Sequence, residues 1–520
     1  MKLQKLIHVL IPIVGIALLP QIDAVTPPPD GCYPNFTTAE GCKALQSLGT
    51  GVANTGIGWY SLFGNSTGSY NTAVGAGALD LNNADSNTAV GAGALLLNTS
   101  GTNNTANGTF ALVFNDAGEG NTATGAFALY SNTDGQFNTA NGEFALYFNT
   151  SGERNTASGD SALYQNTTGS RNTASGNAAL LSNTDGDENT AMGAGALSLN
   201  TADQNTAVGA DALSDNTVGG LNTAIGFSAL ASNQTGLGNT ATGWQALLRN
   251  TTGERNTANG RSALESNTQG SFNTAMGEFA LTANTTGSLN VAIGYDTLSA
   301  NIDGGQNTAI GEDALTNNTS GSHNTAIGSL AGSGITTGSN ILCIRAAGAN
   351  VDDSTYIGNI WQQPGGSQAV FVNSDGKLGA QVSSRRFKHD ITPMDNSSEA
   401  IYRLNPVSFR YNTEIEPSCP LAFGLVAEEV EQVDPDLVTL DKDGKPFSVR
   451  YDQVNAMLLN EFLKEHTKVS ALEAKLDQQQ KNFESKLSEQ QKQIEALTLD
   501  LQNVNERIGN AAPQLITDKL

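Results

Sequence analysis

The sequence predicts a mostly β protein: stacked parallel repeats forming a β-solenoid or β-roll, then a small α/β domain and a long coiled-coil helix. Three observations support this. A phrase of consensus NTAxGxxALxxNTTGxx occurs in 17 copies from Asn54 to Asn324. The chain contains 57 glycines but only 6% aromatic residues, too few large side chains for an ordinary globular core. A helical pattern without Gly or Pro occupies residues 454–508.

The N-terminus has the features of a secretory signal peptide over residues 1–24. Lys2 and Lys5 form a basic start, Leu6 to Leu19 form an apolar stretch, and Ala24 is a small residue before the expected cut. The alternative is an uncleaved membrane anchor, for which the apolar stretch is short. We therefore expect a secreted or cell-surface protein with no membrane span after signal removal.

Residues 25–53 form an N-terminal segment with a degenerate repeat, TTAEGCKAL, beginning at Thr37. Cys32 and Cys42 are close enough in sequence to pair in an oxidising compartment, whereas Cys343 and Cys419 are isolated. The chain has four histidines in total and no His/Cys cluster with ligand spacing. We expect no metal and no cofactor.

The repeat array spans residues 54–340 with a period of 17, apart from 16-residue steps to Asn87 and Asn205. Its columns predict a structural role for each position. Gly in the fifth place indicates a left-handed backbone or a close approach, and Leu in the ninth place is the main candidate core residue. We predict a short strand at TAxG, a turn around xxAL and a tight return at Asn-Thr-x-Gly.

The small side chains of the array predict an assembly of several chains. Each layer offers one Leu and a few Ala, and burial at about 25 cal/mol per Å² barely offsets the entropy of ordering so much backbone. A core shared between chains would relieve this deficit. We therefore expect a homotrimer, not a monomeric β-helix.

Three functions of the array are open. It could be a spacer, or it could adhere to a surface glycan or protein through variable positions such as Phe127, Tyr147, Arg171 and Trp244. Its column of threonines could also match an ice lattice. The net charge of −24 and pI of about 4.4 disfavour nucleic acid and anionic membranes as partners.

The NTAVGAGAL-type phrases over about residues 37–340 resemble the head repeats of trimeric autotransporter adhesins of the YadA class. The resemblance implies a parallel β-roll in which strands of three chains associate. Those adhesins end in a membrane β-barrel, whereas this sequence ends in a charged helix. Anchoring by such a barrel is therefore not expected.

After the array, residues 341–382 read as a β connector with a hairpin, 383–453 as a mixed α/β domain, 454–510 as a coiled coil and 511–520 as a tail. The coiled-coil residues alternate by three and four, with one insertion of four after Phe483 that reads as a stutter. The apolar positions are Val469, Leu472, Leu476, Phe483, Leu487, Ile494, Leu497, Leu501, Val504 and Ile508.

The phrase QVSSRRFKHDI at 381–391 concentrates basic residues in an acidic chain. Its S-x-x-R-x-K pattern (Ser383, Arg386, Lys388) is followed in order by LNPVSFRY, GLVAEEVE, VRYDQVNAMLLNEF and the coiled coil. Together these features resemble the peptidase S74 domain, the intramolecular chaperone that ends phage tailspikes and endosialidases. The resemblance implies that an assembled trimer cuts itself just before the serine and releases the chaperone.

Carried over to this chain, the resemblance makes Ser383 the nucleophile, Lys388 the general base and Val382–Ser383 the scissile bond. A serine hydroxyl needs a nearby base, and a lysine serves as that base only when burial or positive charge favours its neutral form. Arg386 is expected to support the site by an ion pair or a trimer contact, and a direct catalytic role is the alternative. Ser384 is a rival nucleophile.

Two other functions compete with self-cleavage. The protein could be a structural or adhesive fibre whose chaperone does not cut. It could also be a tailspike-like enzyme acting on polysaccharide, which would need paired carboxylates. The array offers only scattered ones, such as Glu143 and Asp160, so this alternative ranks last.

Overall fold

The computed structural model describes residues 34–360, 370–372, 376–380, 382–412, 418–441 and 443–509. The chain divides after Gly365 into a solenoid unit and a C-terminal unit. The predicted signal peptide, Cys32 and the tail lie outside the described residues, so the signal and the Cys32–Cys42 pairing stay predictions.

In the described part of the solenoid unit, one parallel sheet contains 20 strands of three residues each. Each strand pairs with the next one along the chain. A short 3₁₀ segment, Pro34–Phe36, precedes them. The strands are β1 Thr38–Glu40, β2 Thr55–Ile57, β3 Thr72–Val74, β4 Thr88–Val90, β5 Thr105–Asn107, β6 Thr122–Thr124, β7 Thr139–Asn141, β8 Thr156–Ser158, β9 Thr173–Ser175, β10 Thr190–Met192, β11 Thr206–Val208, β12 Thr223–Ile225, β13 Thr240–Thr242, β14 Thr257–Asn259, β15 Thr274–Met276, β16 Val291–Ile293, β17 Thr308–Ile310, β18 Thr325–Ile327, β19 Leu342–Ile344 and β20 Thr355–Ile357.

The strands stack in register, so each column of the repeat becomes a column in space. Thr139 lies beside Thr156, Ala140 beside Ala157 and Asn141 beside Ser158. The middle alanine points inward and is fully buried, whereas its neighbours point outward, as the period of two requires. The predicted strand at TAxG and turn at xxAL are both present. The sheet extends beyond residue 340 to β20, although the repeat phrase no longer recognisably continues there.

Most coils of the solenoid contribute one leucine and two alanines to a continuous core. In the coil that starts at Asn138, Ala140, Ala145 and Leu146 are all fully buried. The same positions are buried in the coils before and after it. A single chain thus closes its own core, and the solenoid itself supplies no reason for a core shared between chains.

Two asparagines per coil are also fully buried, and they form hydrogen-bonded ladders along the solenoid. In one ladder, Asn138 Oδ1 accepts a hydrogen bond from the backbone N–H of Asn155 at 3.0 Å. In the other, Asn149 Nδ2 donates to Asn132 Oδ1 at 2.8 Å and to the Gly152 carbonyl at 3.0 Å. A buried side-chain amide costs free energy when it has no hydrogen-bond partner. Because asparagines of successive coils stack on one another, most of their amides find partners within the narrow core.

The turns require unusual backbone angles at two kinds of position. Gly142, in the fifth place, has φ 148°, and an added Cβ would collide with the carbonyl oxygen of Gly159. The backbone of the core leucine also lies in the left-handed region, with φ 52° at Leu146. A non-glycine residue in this region costs on the order of 1–2 kcal/mol, which burial of the leucine side chain offsets.

The described residues of the C-terminal unit form three antiparallel strand pairs, two α-helices and 3₁₀ segments. The pairs are β21 Val370–Val372 with β22 Leu378–Ala380, β23 Val407–Phe409 with β24 Ala422–Gly424, and β25 Val438–Leu440 with β26 Pro446–Val449. The 3₁₀ segments are Arg385–Phe387, Asp395–Arg403 and Pro435–Leu437. Helix α1 is Ala427–Val433 and helix α2 is Tyr451–Gly509. The predicted hairpin of the connector corresponds to β21 and β22.

The core of this unit is small compared with the apolar surface that it leaves exposed. Seven buried residues form it: Ala400, Val430, Leu437, Val438, Val449, Val454 and Met457. Phe423 and Phe447 are 78% and 75% exposed. From Glu465 onward every residue of helix α2 is exposed, so more than half of this long helix lacks a packing partner in the described chain.

Among the described residues, no helix is both long enough and apolar enough to cross a membrane.

Candidate functional site

A short 3₁₀ segment, Arg385–Phe387, gives the predicted cleavage site its geometry. Two backbone hydrogen bonds close its turn: Phe387 N–H to the Ser384 carbonyl at 2.9 Å, and Lys388 N–H to the Arg385 carbonyl at 3.1 Å. This single turn folds the chain back on itself. Residues five apart in sequence, Ser383 and Lys388, therefore meet.

The predicted nucleophile and base are within hydrogen-bonding distance of each other. Lys388 Nζ donates to Ser383 Oγ at 3.2 Å, which is the geometry that a serine and its base need. The contact involves Ser383 and not its rival Ser384, so the geometry favours the serine that the sequence predicts. Val382, whose carbonyl precedes Ser383, is 57% exposed.

Two other basic residues of the phrase, Arg386 and His389, have side-chain partners outside the Ser383–Lys388 pair. The Arg386 guanidinium lies 4.6 Å from the centre of the Phe387 ring, a cation–π distance. His389 Nδ1 lies 2.7 Å from Asp390 Oδ2. All residues from Val382 to Ile391 are exposed. In one chain, therefore, the pair is open to water and is not surrounded by a pocket.

A buried polar cluster attaches helix α2 to the 3₁₀ segment Asp395–Arg403. Glu461 Oε1 accepts hydrogen bonds from Ser398 Oγ at 2.5 Å and from Lys464 Nζ at 2.7 Å, and Glu461 Oε2 accepts one from Tyr402 at 2.8 Å. Asn460 Nδ2 donates to Ser398 Oγ at 2.7 Å. Hydrogen bonds from Lys464, Ser398 and Tyr402 lower the pKa of Glu461 to about 2.

A cavity of about 1380 Å³ opens beside this cluster, between the 3₁₀ segments and helix α2. Its lining carries both signs of charge, including Glu399, Arg403, Glu461 and Lys468. Neither Ser383 nor Lys388 lines it. This cavity is thus separate from the predicted cleavage site.

On the solenoid, most of the variable residues proposed for adhesion contact residues of neighbouring coils. Phe127 stacks on Phe144 with ring centres 5.4 Å apart, and Tyr147 stacks on Tyr130 at 4.8 Å. Trp244 stacks on Phe227 at 6.5 Å. Arg171 pairs with Glu188 at 3.0 Å. These contacts stabilise neighbouring coils and leave the ligand of the array, if there is one, unassigned.

The two carboxylates named above for a polysaccharide-cleaving site, Glu143 and Asp160, are not enclosed. Glu143 and Asp160 are both exposed on the solenoid, and Asp160 Oδ2 accepts a hydrogen bond from Asn177 Nδ2 at 3.0 Å. Nothing in this arrangement resembles an acid held in an apolar pocket, which glycoside hydrolysis uses.

One family comparison bears on the Ser383 site. The Peptidase_S74 family model, described as a chaperone of endosialidase, matches residues 383–439. The matched segment, hereafter the S74 domain, is similar to that family. The match begins at Ser383, the predicted nucleophile, and includes Lys388 and helix α1. The S74 domain follows a long β-solenoid, an order that is tail-fibre-like. Neither a curated protein nor a solved structure matches the chain.

Sequence reasoning missed two sets of residues. The sequence predicts only turn chemistry for the twelfth-place asparagines, but these are buried. They are as invariant across the array as the leucines, which is the signal of a buried position. The Ser398–Glu461 cluster joins residues 63 apart. No local pattern marks such a pair, because only the packing of the helix brings them together.

Proposed function

We propose that this chain is the subunit of a secreted or cell-surface homotrimeric fibre. The β-solenoid is its shaft. The S74 domain and helix α2 align three chains, and the assembled trimer then cuts the Val382–Ser383 bond and releases residues 383–520. The observation that carries the proposal is the 3.2 Å contact of Lys388 Nζ with Ser383 Oγ at the first residue of the S74 domain.

The exposed apolar surface of the C-terminal unit supports association of chains. The ten coiled-coil side chains of helix α2 are each between 48% and 67% exposed, and burial of a large apolar side chain contributes about 1.5–3 kcal/mol. On the solenoid, the outward fourth place is apolar near the S74 end, with Ile293, Ile310 and Ile327 each more than a third exposed. Association with a second copy of the chain would bury apolar area on both surfaces.

The proposed cleavage follows from the position of the nucleophile. Ser383 supplies both the attacking hydroxyl and the amide nitrogen of the scissile bond. Lys388, in its neutral form, accepts the hydroxyl proton as Oγ attacks the Val382 carbonyl carbon. The C–N bond then breaks, the proton passes to the Ser383 nitrogen, and an ester joins Val382 to Ser383 Oγ. Water hydrolyses this ester and yields a Val382 carboxylate and a free Ser383.

The exposure of the Ser383–Lys388 pair in one chain supports cleavage after assembly. Lys388 Nζ donates to Ser383 Oγ in the single chain, whereas a general base must accept the hydroxyl proton. Burial between chains would favour the neutral lysine. Cutting would therefore follow trimerisation, and removal of the chaperone would leave the shafts kinetically trapped.

The test compares full-length wild type with Ser383→Ala and Lys388→Met on denaturing gels, with N-terminal sequencing of the smaller fragment. We expect wild type to give a fragment that begins at Ser383, and both variants to stay full length. Ser384→Ala is the matched control and should cut normally. Cleavage that persists in Ser383→Ala but stops in Ser384→Ala would assign the nucleophile to the neighbouring serine.

The competing function is a fibre whose S74 domain assists assembly without cutting. The openness of the Ser383–Lys388 pair is the observation in its favour. Gel filtration with light scattering separates the two: a trimer in which wild type stays full length at all times would establish the non-cleaving fibre.

A further inference from the structure

The ten apolar coiled-coil residues of helix α2, from Val469 to Ile508, form a stripe along one face of the helix. Two glutamines interrupt this stripe at positions where the spacing requires a core residue. Gln479 follows Leu476 by three and precedes Phe483 by four. Gln490 follows Leu487 by three and precedes Ile494 by four. Because residues 451–509 form one continuous helix, both glutamines lie on the same face as the apolar side chains. Any coiled coil built on this stripe encloses them.

The flanks of the stripe hold few charges that could align the chains. Lys468 and Glu473 are an opposite-charge pair at the start. From Lys475 to Asn505, however, the flanking positions are mostly Gln, Asn and Thr, with no pair of opposite charges at the spacing that joins neighbouring helices. The usual device for selecting a register is therefore absent from most of this described helix. Before the stutter, and again after it, the stripe repeats every seven residues, so within either part a slip of seven residues would still bring stripe positions together.

We infer that Gln479 and Gln490 set the register of the three helices. This inference rests on the proposed trimer. A primary amide both donates and accepts, so three glutamines in one layer can bond to each other. A seven-residue slip would place Gln479 opposite Leu472 and leave its amide unpaired in an apolar layer, which costs free energy. The partner of this surface is thus a second and a third copy, parallel and in register.

One shift of a helix along its neighbour would still pair two glutamine amides, but the stutter makes that shift unfavourable. A slip of eleven residues would align Gln479 with Gln490, but it would set Leu487 against Thr498 and Gln490 against Leu501. The two polar layers and the stutter between them therefore admit one alignment. The stripe extends over 40 residues, roughly 60 Å of helix, which is long enough for an interface of the standard area of about 800 Å² per partner.

The first experiment uses the full chain with Ser383→Ala, which keeps the helix attached. Gln479→Leu with Gln490→Leu should raise the melting temperature of the helix and replace a single trimer mass by several masses in sedimentation velocity. The matched control is Gln478→Leu with Gln502→Leu, off the stripe, which should behave as the parent. A double variant with the parent's single mass and melting temperature would overturn the inference. A monomeric parent would instead overturn the proposed trimer, and the inference with it.

The second experiment reads the register directly. In a background whose four native cysteines are replaced, Glu465→Cys and Leu472→Cys chains are co-expressed with different tags and oxidised. In-register helices give only like-with-like disulfides, because seven residues separate the two positions by about 10 Å along the axis. Mixed disulfides should appear only when Gln479→Leu and Gln490→Leu are added. Equal amounts of mixed disulfide with and without them would contradict the assignment.

Discussion

At the residue scale, the solenoid depends on polar side chains being buried with their partners. The asparagines of the twelfth place are fully buried, yet most donate to the preceding asparagine and to a nearby carbonyl, as Asn166 does to Asn149 at 2.7 Å and to Gly169 at 2.9 Å. A narrow core made only of alanine and leucine would leave the turn carbonyls unsatisfied. The amide ladder satisfies them in every coil.

Asp80 is an exception to this pairing and gives the solenoid a pH-dependent weak point. It occupies the tenth place, between Phe63 and Leu96 of the neighbouring coils, and its buried Oδ1 has no hydrogen-bond partner. Burial raises the pKa of Asp80 to about 6. Since the native state holds the proton more tightly than the unfolded chain, this residue reduces stability as pH rises from about 4 to about 6.

We predict that Asp80→Asn stabilises the protein at pH 7 by roughly 1–3 kcal/mol, since it removes a buried charge. The gain should shrink towards zero near pH 4, where the native Asp80 is already neutral. Urea unfolding at the two pH values measures both. The exposed Asp303→Asn is the control and should show no such pH-dependent gain. Equal stabilisation at pH 4 and pH 7 would contradict the assignment to charge burial.

At the scale of a coil, the amide ladder is the element that keeps neighbouring coils aligned. Asn149→Ala removes two donated bonds and one accepted bond within the core. We predict a loss of roughly 1–3 kcal/mol in the free energy of unfolding. Asn141→Ala, at an exposed strand position of the same coil, should change it by less than about 0.5 kcal/mol. Two variants of equal stability in urea would show that the ladder contributes nothing.

At the scale of the long helix, Glu461 is the attachment point to the S74 domain. Its pKa of about 2 lies below its usual 4.5 because Lys464, Ser398 and Tyr402 donate to its carboxylate. The stabilisation is therefore fully present above about pH 4.5 and is lost as pH falls towards 2.

We predict that Glu461→Gln lowers the melting temperature of the C-terminal unit at pH 7 and weakens its dependence on pH between about 4.5 and 2. Circular dichroism at 222 nm follows the helix. Glu465→Gln, one exposed helix turn away, is the matched control and should retain most of the acid sensitivity. A Glu461→Gln protein with the wild-type melting profile across this pH range would exclude the cluster as an anchor.

At the scale of the whole molecule, the two units differ in how much of their apolar surface a single chain buries. The solenoid buries its leucines, alanines and asparagines within itself. The C-terminal unit exposes most of a 59-residue helix and leaves an open Ser383–Lys388 pair. This contrast supports the proposal that the solenoid is a lasting shaft and that the C-terminal unit depends on other copies of the chain.

The sequence by itself determined the repeat, its strand and turn positions, the buried leucine column, the long helix and the serine and lysine that meet at 3.2 Å. These features depend on local periodicity or on residues a few positions apart, which a sequence displays directly. Tertiary structure alone decided that one chain closes the solenoid core, that the Asn columns are ladders, that β19 and β20 extend the sheet, and that Glu461 holds Ser398. Each of these depends on which residues stack across coils or pack across 63 positions of chain, and burial and hydrogen-bond satisfaction are properties of that packing.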